Sequence, residues 1–150
     1  MAILIDAYIE SCFPQLSAQG YKITSPATPS YNCIAWAAGD DTNWWEPDPF
    51  SIYYWPSNVP RQYTLESYIK LFNKQDYEKC QDSNLEIGYD KVAIYIDSQG
   101  APTHAARQLN TGHWTSKLGS NKDIEHNTVD GLVSNGYGIV AVILKRKQRI

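Results

Sequence analysis

Tyr31-Asn32-Cys33-Ile34-Ala35-Trp36-Ala37-Ala38-Gly39 decides how the rest of this chain is read. A cysteine opens a short run of small, helix-forming residues. The approach to it, Ser25-Pro26-Ala27-Thr28-Pro29-Ser30, is held extended, because proline lacks an N–H and restricts the residue before it. The pattern predicts a helix over residues 32–38 that stops at Gly39. A cysteine on the first turn of a helix meets the partial positive charge of that helix end, which favours thiolate over thiol.

Towards the C-terminus the period of the apolar residues changes after Gly88. Lys91–Asp97 reads as a strand, Ser98–Ala101 as a hairpin turn and Thr103–Leu109 as a second strand. Asn110-Thr111-Gly112 then turns the chain into a third strand, His113–Leu118. Residues 119–136 are polar and loop-like, with helical turns expected near Asp123 and Asp130. Tyr137–Leu144 is apolar enough to predict a central strand or one covered on both faces.

Towards the N-terminus, Ile3, Leu4, Ala7, Tyr8 and Ser11/Cys12 are spaced for a short amphipathic helix over residues 2–12; Gly20 turns the chain, and Lys22–Thr24 is a brief strand. Residues 40–62, rich in Trp, Pro, Asp and Asn, predict an ordered covering loop. Thr64 then caps a second helix, with Ser67 where a capping box carries Glu, and Leu65, Tyr68, Ile69 and Phe72 share its core face. Helices followed by antiparallel strands make an α+β chain, and 150 residues without a linker make one domain over residues 1–150.

Composition narrows the function. Net charge is -3, and the one basic cluster, Lys145-Arg146-Lys147 with Arg149, reads as a solvated tail, so no nucleic-acid partner is expected. MAILIDAYIESCF has no basic n-region and carries Asp6 and Glu10, so it does not resemble a signal peptide. No apolar run is long enough to predict a membrane span. Cys12, Cys33 and Cys80 form no CxxC pair, and their odd number argues against a disulfide framework. A reduced, cytoplasmic protein is expected, with Cys33 held as a thiol.

Cys33 is therefore the candidate nucleophile, against the plainer reading of a buried small hydrophobe. His104 is the candidate acid and base, because imidazole exchanges a proton near neutral pH. If the hairpin centres on Thr111, paired residues sum to about 222, which puts His104 opposite Leu118 with Ser116 and Ser120 on its own face; a one-residue change in the turn puts Lys117 or Gly119 opposite instead. Candidates for a third member are Ser116, Lys117, Glu125 and His126. The oxyanion would be held by the Cys33 N–H with Asn32 or Tyr31. Trp36, Trp44, Trp45 and Trp55 are candidates for a substrate groove. His104, His113 and His126 lack regular ligand spacing with Cys33, so neither a metal nor another cofactor is expected. Asp40, Asp41, Glu46 and Asp48 lack a calcium-loop pattern and are expected to face solvent.

At these residues the chain resembles the papain-like superfamily and, within it, the small NlpC-type peptidases and amidases. Lys91–Asp97, Gly100 and Thr103-His104-Ala105 resemble their strand-turn-strand core. YNCIAWAAGD (31–40), THAARQL (103–109), WTSKLG (114–119) and DIEH (123–126) are similar to a group of bacterial proteins with the same arrangement. The resemblance implies a papain-like domain with N-terminal helices packed on an antiparallel sheet. It also implies a thiol-dependent hydrolase or acyltransferase acting on a peptide or small amide or ester. One departure stands out: Lys91 occupies the position where NlpC-type enzymes usually carry the histidine base, and His104 falls where they place the third polar residue. In a register nearer papain, His104 is the base and Ser116 or Lys117 replaces the usual Asn. The same departure favours an alternative, a non-catalytic module whose loop 44–55 binds a peptide, glycan or protein. A toxin- or immunity-type component is a third possibility that nothing in the sequence selects.

Overall fold

The computed structural model describes residues 6–149. Four α-helices and seven strands follow in the order α1 (Ala7–Cys12), α2 (Leu16–Gln19), β1 (Tyr21–Ser25), α3 (Cys33–Ala37), α4 (Leu65–Asn73), β2 (Glu78–Cys80), β3 (Tyr89–Ile96), β4 (Pro102–Gln108), β5 (Trp114–Lys117), β6 (Asp123–His126) and β7 (Ile139–Lys147). Within the helix expected over residues 2–12, α1 covers Ala7–Cys12 with Asp6 as its cap; the expected positions Ile3 and Leu4 lie outside the described residues.

The strands form one antiparallel sheet in the order β1-β6-β5-β4-β3-β7-β2. The fold is thus α+β, with its helices within residues 7–73 but with β1 between α2 and α3. The helices do not form one layer. Ile9, Phe13 and Leu16 of the α1–α2 segment pack with Ala93, Tyr95, Ala106, Trp114 and Ile124. Cys33, Ile34 and Ala37 of α3 and Leu71 and Phe72 of α4 pack with Val92, Ile94, Ala105 and Leu144. Period-two alternation along β3 and β4 sends successive side chains into these two cores.

Two expectations for the strands are corrected. DIEH is strand β6 rather than loop, pairing with β5 on one side and β1 on the other. β7 is not central, and both of its faces are only partly covered, Val142 and Leu144 packing into one core and Val140 and Ile143 against the other. It lies second from the sheet edge beside the three-residue β2, and Ile139 is 60% exposed. β3 is covered on both faces, with Val92, Ala93, Ile94 and Tyr95 all buried, and so is β5, with Trp114, Thr115, Ser116 and Lys117 buried. The 3-10 turn expected near Asp130 forms at Val129–Leu132, with Thr128 as its cap.

Local chemistry places the helices. Asn32 is extended (φ -118°, ψ -174°), and its side chain accepts from Ala35 N, capping α3. Thr64 does the same for α4 by accepting from Ser67 N. The loop 40–62 is ordered by its carboxylates, so the acidic cluster does not simply face solvent. Asp48 is buried, accepts from the N–H groups of Ile52 and Tyr53 and pairs with Arg61 at 2.9 Å. Asp40 accepts from Thr42 N, Thr42 Oγ1 and Trp45 Nε1. These hydrogen bonds outweigh burial and hold its carboxyl at about 2.

Candidate functional site

The site begins where the β4–β5 ladder stops. Its pairs are Arg107↔Thr115 and Gln108↔Trp114, in the register that sums to 222. Leu109 N donates to His113 O at 2.7 Å, so the odd-numbered residues of β4 aim their N–H groups at β5. Ala105 is next in that series, but it does not pair with Lys117, and its N–H lies close enough to Cys33 to favour the thiolate. The first residue of α3 is thereby packed on one face of the sheet, where α3 lies against β4 and β5. Cys33 is 9% exposed. Burial pushes its thiol up to about 11 despite the Ala105 N–H, so the sulfur is protonated at neutral pH. The helix end does not generate a resting thiolate.

His104 lies on the other face of the sheet, behind Tyr137. Alternation turns Ala105 towards α3 and His104 away from it. The imidazole is fully buried, stacked on Tyr137 (centroids 4.3 Å, 12°) and edge-on to Tyr95 (5.3 Å). Its Nε2 lies 2.9 Å from Ser116 Oγ, Ser116 Oγ lies 2.8 Å from His126 Nε2, and His126 Nδ1 lies 2.8 Å from Thr128 O. The direction of this chain follows from its last member. A carbonyl only accepts, so His126 Nδ1 carries the proton. Burial holds His126 down at about 4, so the ring is neutral and its Nε2 accepts from the Ser116 hydroxyl. Ser116 Oγ in turn accepts from His104 Nε2–H. Burial, and secondarily His126, keep His104 well below its usual range, so it is also neutral. Its Nδ1 is then a bare lone pair, buried and without a hydrogen-bond partner. No hydrogen bond joins it to the Cys33 thiol.

These two depressed imidazoles carry a pH signature. The unfolded chain binds more protons than the folded one below the ordinary value of 6.5. Their stabilisation is therefore complete above about pH 6.5 and is lost as pH falls towards 4, by on the order of 3 kcal/mol for His126 alone. Urea melts should show stability declining between pH 6.5 and 5, above the range where ordinary carboxylates titrate. A flat profile there would contradict the neutral relay.

The remaining candidates separate. Ser116 and His126 belong to the relay. Glu125 turns to the opposite face of β6, where it meets His113 Nδ1 at 2.9 Å and Lys22 at 3.8 Å. Lys117 faces α3, donating to Thr28 O and Gly119 O and lying over the Tyr31 ring. Neither reaches His104, because period two puts both on the other side of the sheet from Ser116. Tyr31 donates to Asp123 Oδ2 at 2.6 Å. Asn32 Oδ1 accepts from Ala35 N and Trp45 N, and Nδ2 donates to Trp45 O, which leaves its second N–H uncommitted in a side chain that lines the cleft beside Cys33. The Tyr31 hydroxyl is spent on Asp123. Lys91, at the departure from the NlpC-type pattern, is buried and bound to Asp82 and Glu86.

Cys33 lies in the wall of a cleft of about 280 Å³ that also presents Trp44, Trp45, Glu46, Tyr63, Tyr68 and Tyr137. Trp36 and Trp55 are not part of it. Trp36 packs under α3, its Nε1 donating to Thr115 Oγ1 at 2.8 Å, and Trp55 is buried against Tyr68. Tyr137 stands between cleft and imidazole, since it lines one and stacks on the other. Sequence reasoning missed Tyr63, Tyr68 and Tyr137, and also the Ala105 N–H. Tyr68 reads as a core residue by helical spacing, and Tyr137 as the start of a strand. Only the Gly138 that follows Tyr137 marks a break there. Among the described residues, no group of three or more His, Cys, Asp or Glu is placed to hold a metal ion, and no helix is long and apolar enough to cross a membrane.

Fold and site together define an α+β domain whose helix-start cysteine packs on one face of an antiparallel sheet. Residues 22–145 match the family described as Domain of unknown function (DUF7689), and the chain belongs to that family. The match takes in Cys33, His104, Ser116 and His126 and leaves out α1 and α2. No curated protein and no solved structure matches the chain.

Proposed function

We propose that the protein is a thiol-dependent hydrolase or acyltransferase acting on an amide or ester bond of a peptide or small molecule, with Cys33 as nucleophile and His104 as acid and base. The observation that carries this reading is His104 Nδ1, buried and without a hydrogen-bond partner on a ring stacked against Tyr137, which also lines the cleft that holds Cys33. An unpaired buried acceptor costs about 1–3 kcal/mol, so a fold that retains one invites a functional explanation. The helix-start cysteine, the strand histidine and the anchored second nitrogen also support a papain-like assignment of the fold. Three unpaired cysteines suit a reduced, cytoplasmic setting.

In the resting state both groups are neutral, so the proton moves during attack. Tyr137, which separates the cleft from the imidazole, swings aside, Cys33 Sγ bonds to the substrate carbonyl carbon, and its proton passes to His104 Nδ1. Ser116 and His126 hold the ring in the tautomer that can receive it. Collapse of the tetrahedral adduct breaks the bond to the leaving amine or alcohol, which takes the proton from Nδ1 and leaves a thioester on Cys33. Water or an acceptor amine then attacks the thioester, gives a proton to Nδ1, and departs with the acyl group as that proton returns to sulfur.

The test is an activated ester followed by intact-protein mass spectrometry. One acyl group is expected on Cys33 in the wild type and none at this site in Cys33→Ser. Acylation of Cys12, which is exposed, at the same rate as Cys33 would end the reading. A second reading, a binding module built on the same scaffold, is favoured by the high thiol pKa and the missing Cys33–His104 hydrogen bond. It requires that Cys33→Ser leave cellular function unchanged.

A further inference from the structure

The walls of the cleft carry information that the thiol does not use. Trp44 Nε1 donates to Glu46 Oε1 at 3.0 Å, Trp45 Nε1 donates to Asp40 Oδ2 at 2.8 Å, and the Tyr63 hydroxyl donates to Glu46 Oε2. Three aromatic rings that line or edge one cavity thus have their polar edges bound to carboxylates. A carboxylate accepting from an indole N–H or a phenol O–H polarises the ring towards greater electron density on its face, the surface that attracts cations.

Charge points the same way. Residues 40–62 contain Asp40, Asp41, Glu46 and Asp48 against Arg61 alone, a balance of -3 that equals the net charge of the whole chain. Arg61 is committed to Asp48, and no Lys, Arg or His lines the cavity. Tyr68 supplies a further polar group: its side chain is 6% exposed, it lines the cavity, and its hydroxyl makes no hydrogen bond among the described residues. A cavity of about 280 Å³ accommodates a short alkyl chain with its head group.

We propose that this cleft is a cation site that takes the alkylammonium group of an amine-bearing ligand, held over Trp44 and Tyr63 and countered by Glu46. The inference rests on the proposed chemistry only in naming its substrate: with Cys33 in the same wall, the ammonium group belongs to the acyl substrate or, once protonation is lost, to the acceptor amine. Anionic acyl compounds are disfavoured by the same carboxylates.

The test is a tryptophan-fluorescence titration of the full chain at low and moderate salt with n-butylammonium, tetramethylammonium and, as the anionic counterpart, butyrate. Saturable quenching by the two ammonium ions and none by butyrate is expected. Glu46→Gln should weaken n-butylammonium binding about tenfold, the ratio that corresponds to 1.4 kcal/mol. Tyr63→Phe keeps the ring, loses its bond to the carboxylate and should weaken binding less; it serves if Glu46→Gln fails to fold. Saturable cation binding by the wild type, combined with no acylation of the wild type, would retain the cation site and remove the thiol chemistry. Equal binding of butyrate, no saturable quenching by either ammonium ion, or unchanged affinity in both the Glu46 and Tyr63 variants would overturn the proposal.

Discussion

His104→Gln should acylate Cys33 about 100- to 10,000-fold more slowly than the wild type, the range by which a positioned acid–base group contributes to such transfers. Gln is close in size to His and can still meet Ser116, but it has no basic nitrogen to receive the thiol proton. Alkylation of the exposed Cys12 is the internal control for reagent and concentration, and near-UV circular dichroism checks that the aromatic packing of Tyr95 and Tyr137 persists. Ser116→Ala separates positioning from proton transfer. It leaves the His104 base in place but releases its tautomer, so the rate should fall less than in His104→Gln and should depend more steeply on pH. Equal acylation rates in wild type and His104→Gln would mean that the relay is purely structural.

Gly138→Ala should destabilise the fold by about 3 kcal/mol or more, among the largest effects available to a single methyl group. Gly138 has φ +76°, and a Cβ built there would lie 1.8 Å from Ile96 O, 2.7 Å from Ile96 C and 2.9 Å from Asp97 Cα. These are backbone atoms of the β3–β4 hairpin, so no side-chain rotation relieves the overlap. Accommodation would require the strands to part, and Tyr137 would move with them. Its carbonyl accepts from Thr103 Oγ1 at 2.5 Å, and its ring stacks on His104. Thermal denaturation should show the loss directly, and the exposed Gly136, whose Cβ would meet nothing within 4 Å, provides the comparison as Gly136→Ala. Similar melting temperatures for the two variants would show that the close approach is not maintained in solution.

Much of this architecture is local, and local chemistry is legible. Thr64 and Asn32 cap their helices because short polar side chains can reach an unpaired N–H two or three residues on. The β4–β5 hairpin register follows from its turn, and with it the placement of Ser116 beside His104. β6 was illegible for the opposite reason. Asp123-Ile124-Glu125-His126 has one apolar residue and no strand-like run, and it pairs only because β1 and β5 flank it. β7 misleads in the other direction, since apolar content measures what a strand could bury rather than where it lies in the sheet.

Sequence alone determined which residues carry reactive groups, Cys33 at a helix start and His104 on a strand, because residue type and short-range spacing settle both. Tertiary structure decided their state. Packing Cys33 on the sheet face where α3 lies against β4 and β5 removes it from water and keeps it a thiol. Closing the sheet with β6 brings His126 beneath Ser116 and leaves a single imidazole lone pair unsatisfied. Desolvation and long-range pairing depend on segments far apart in the chain, and no local pattern encodes them.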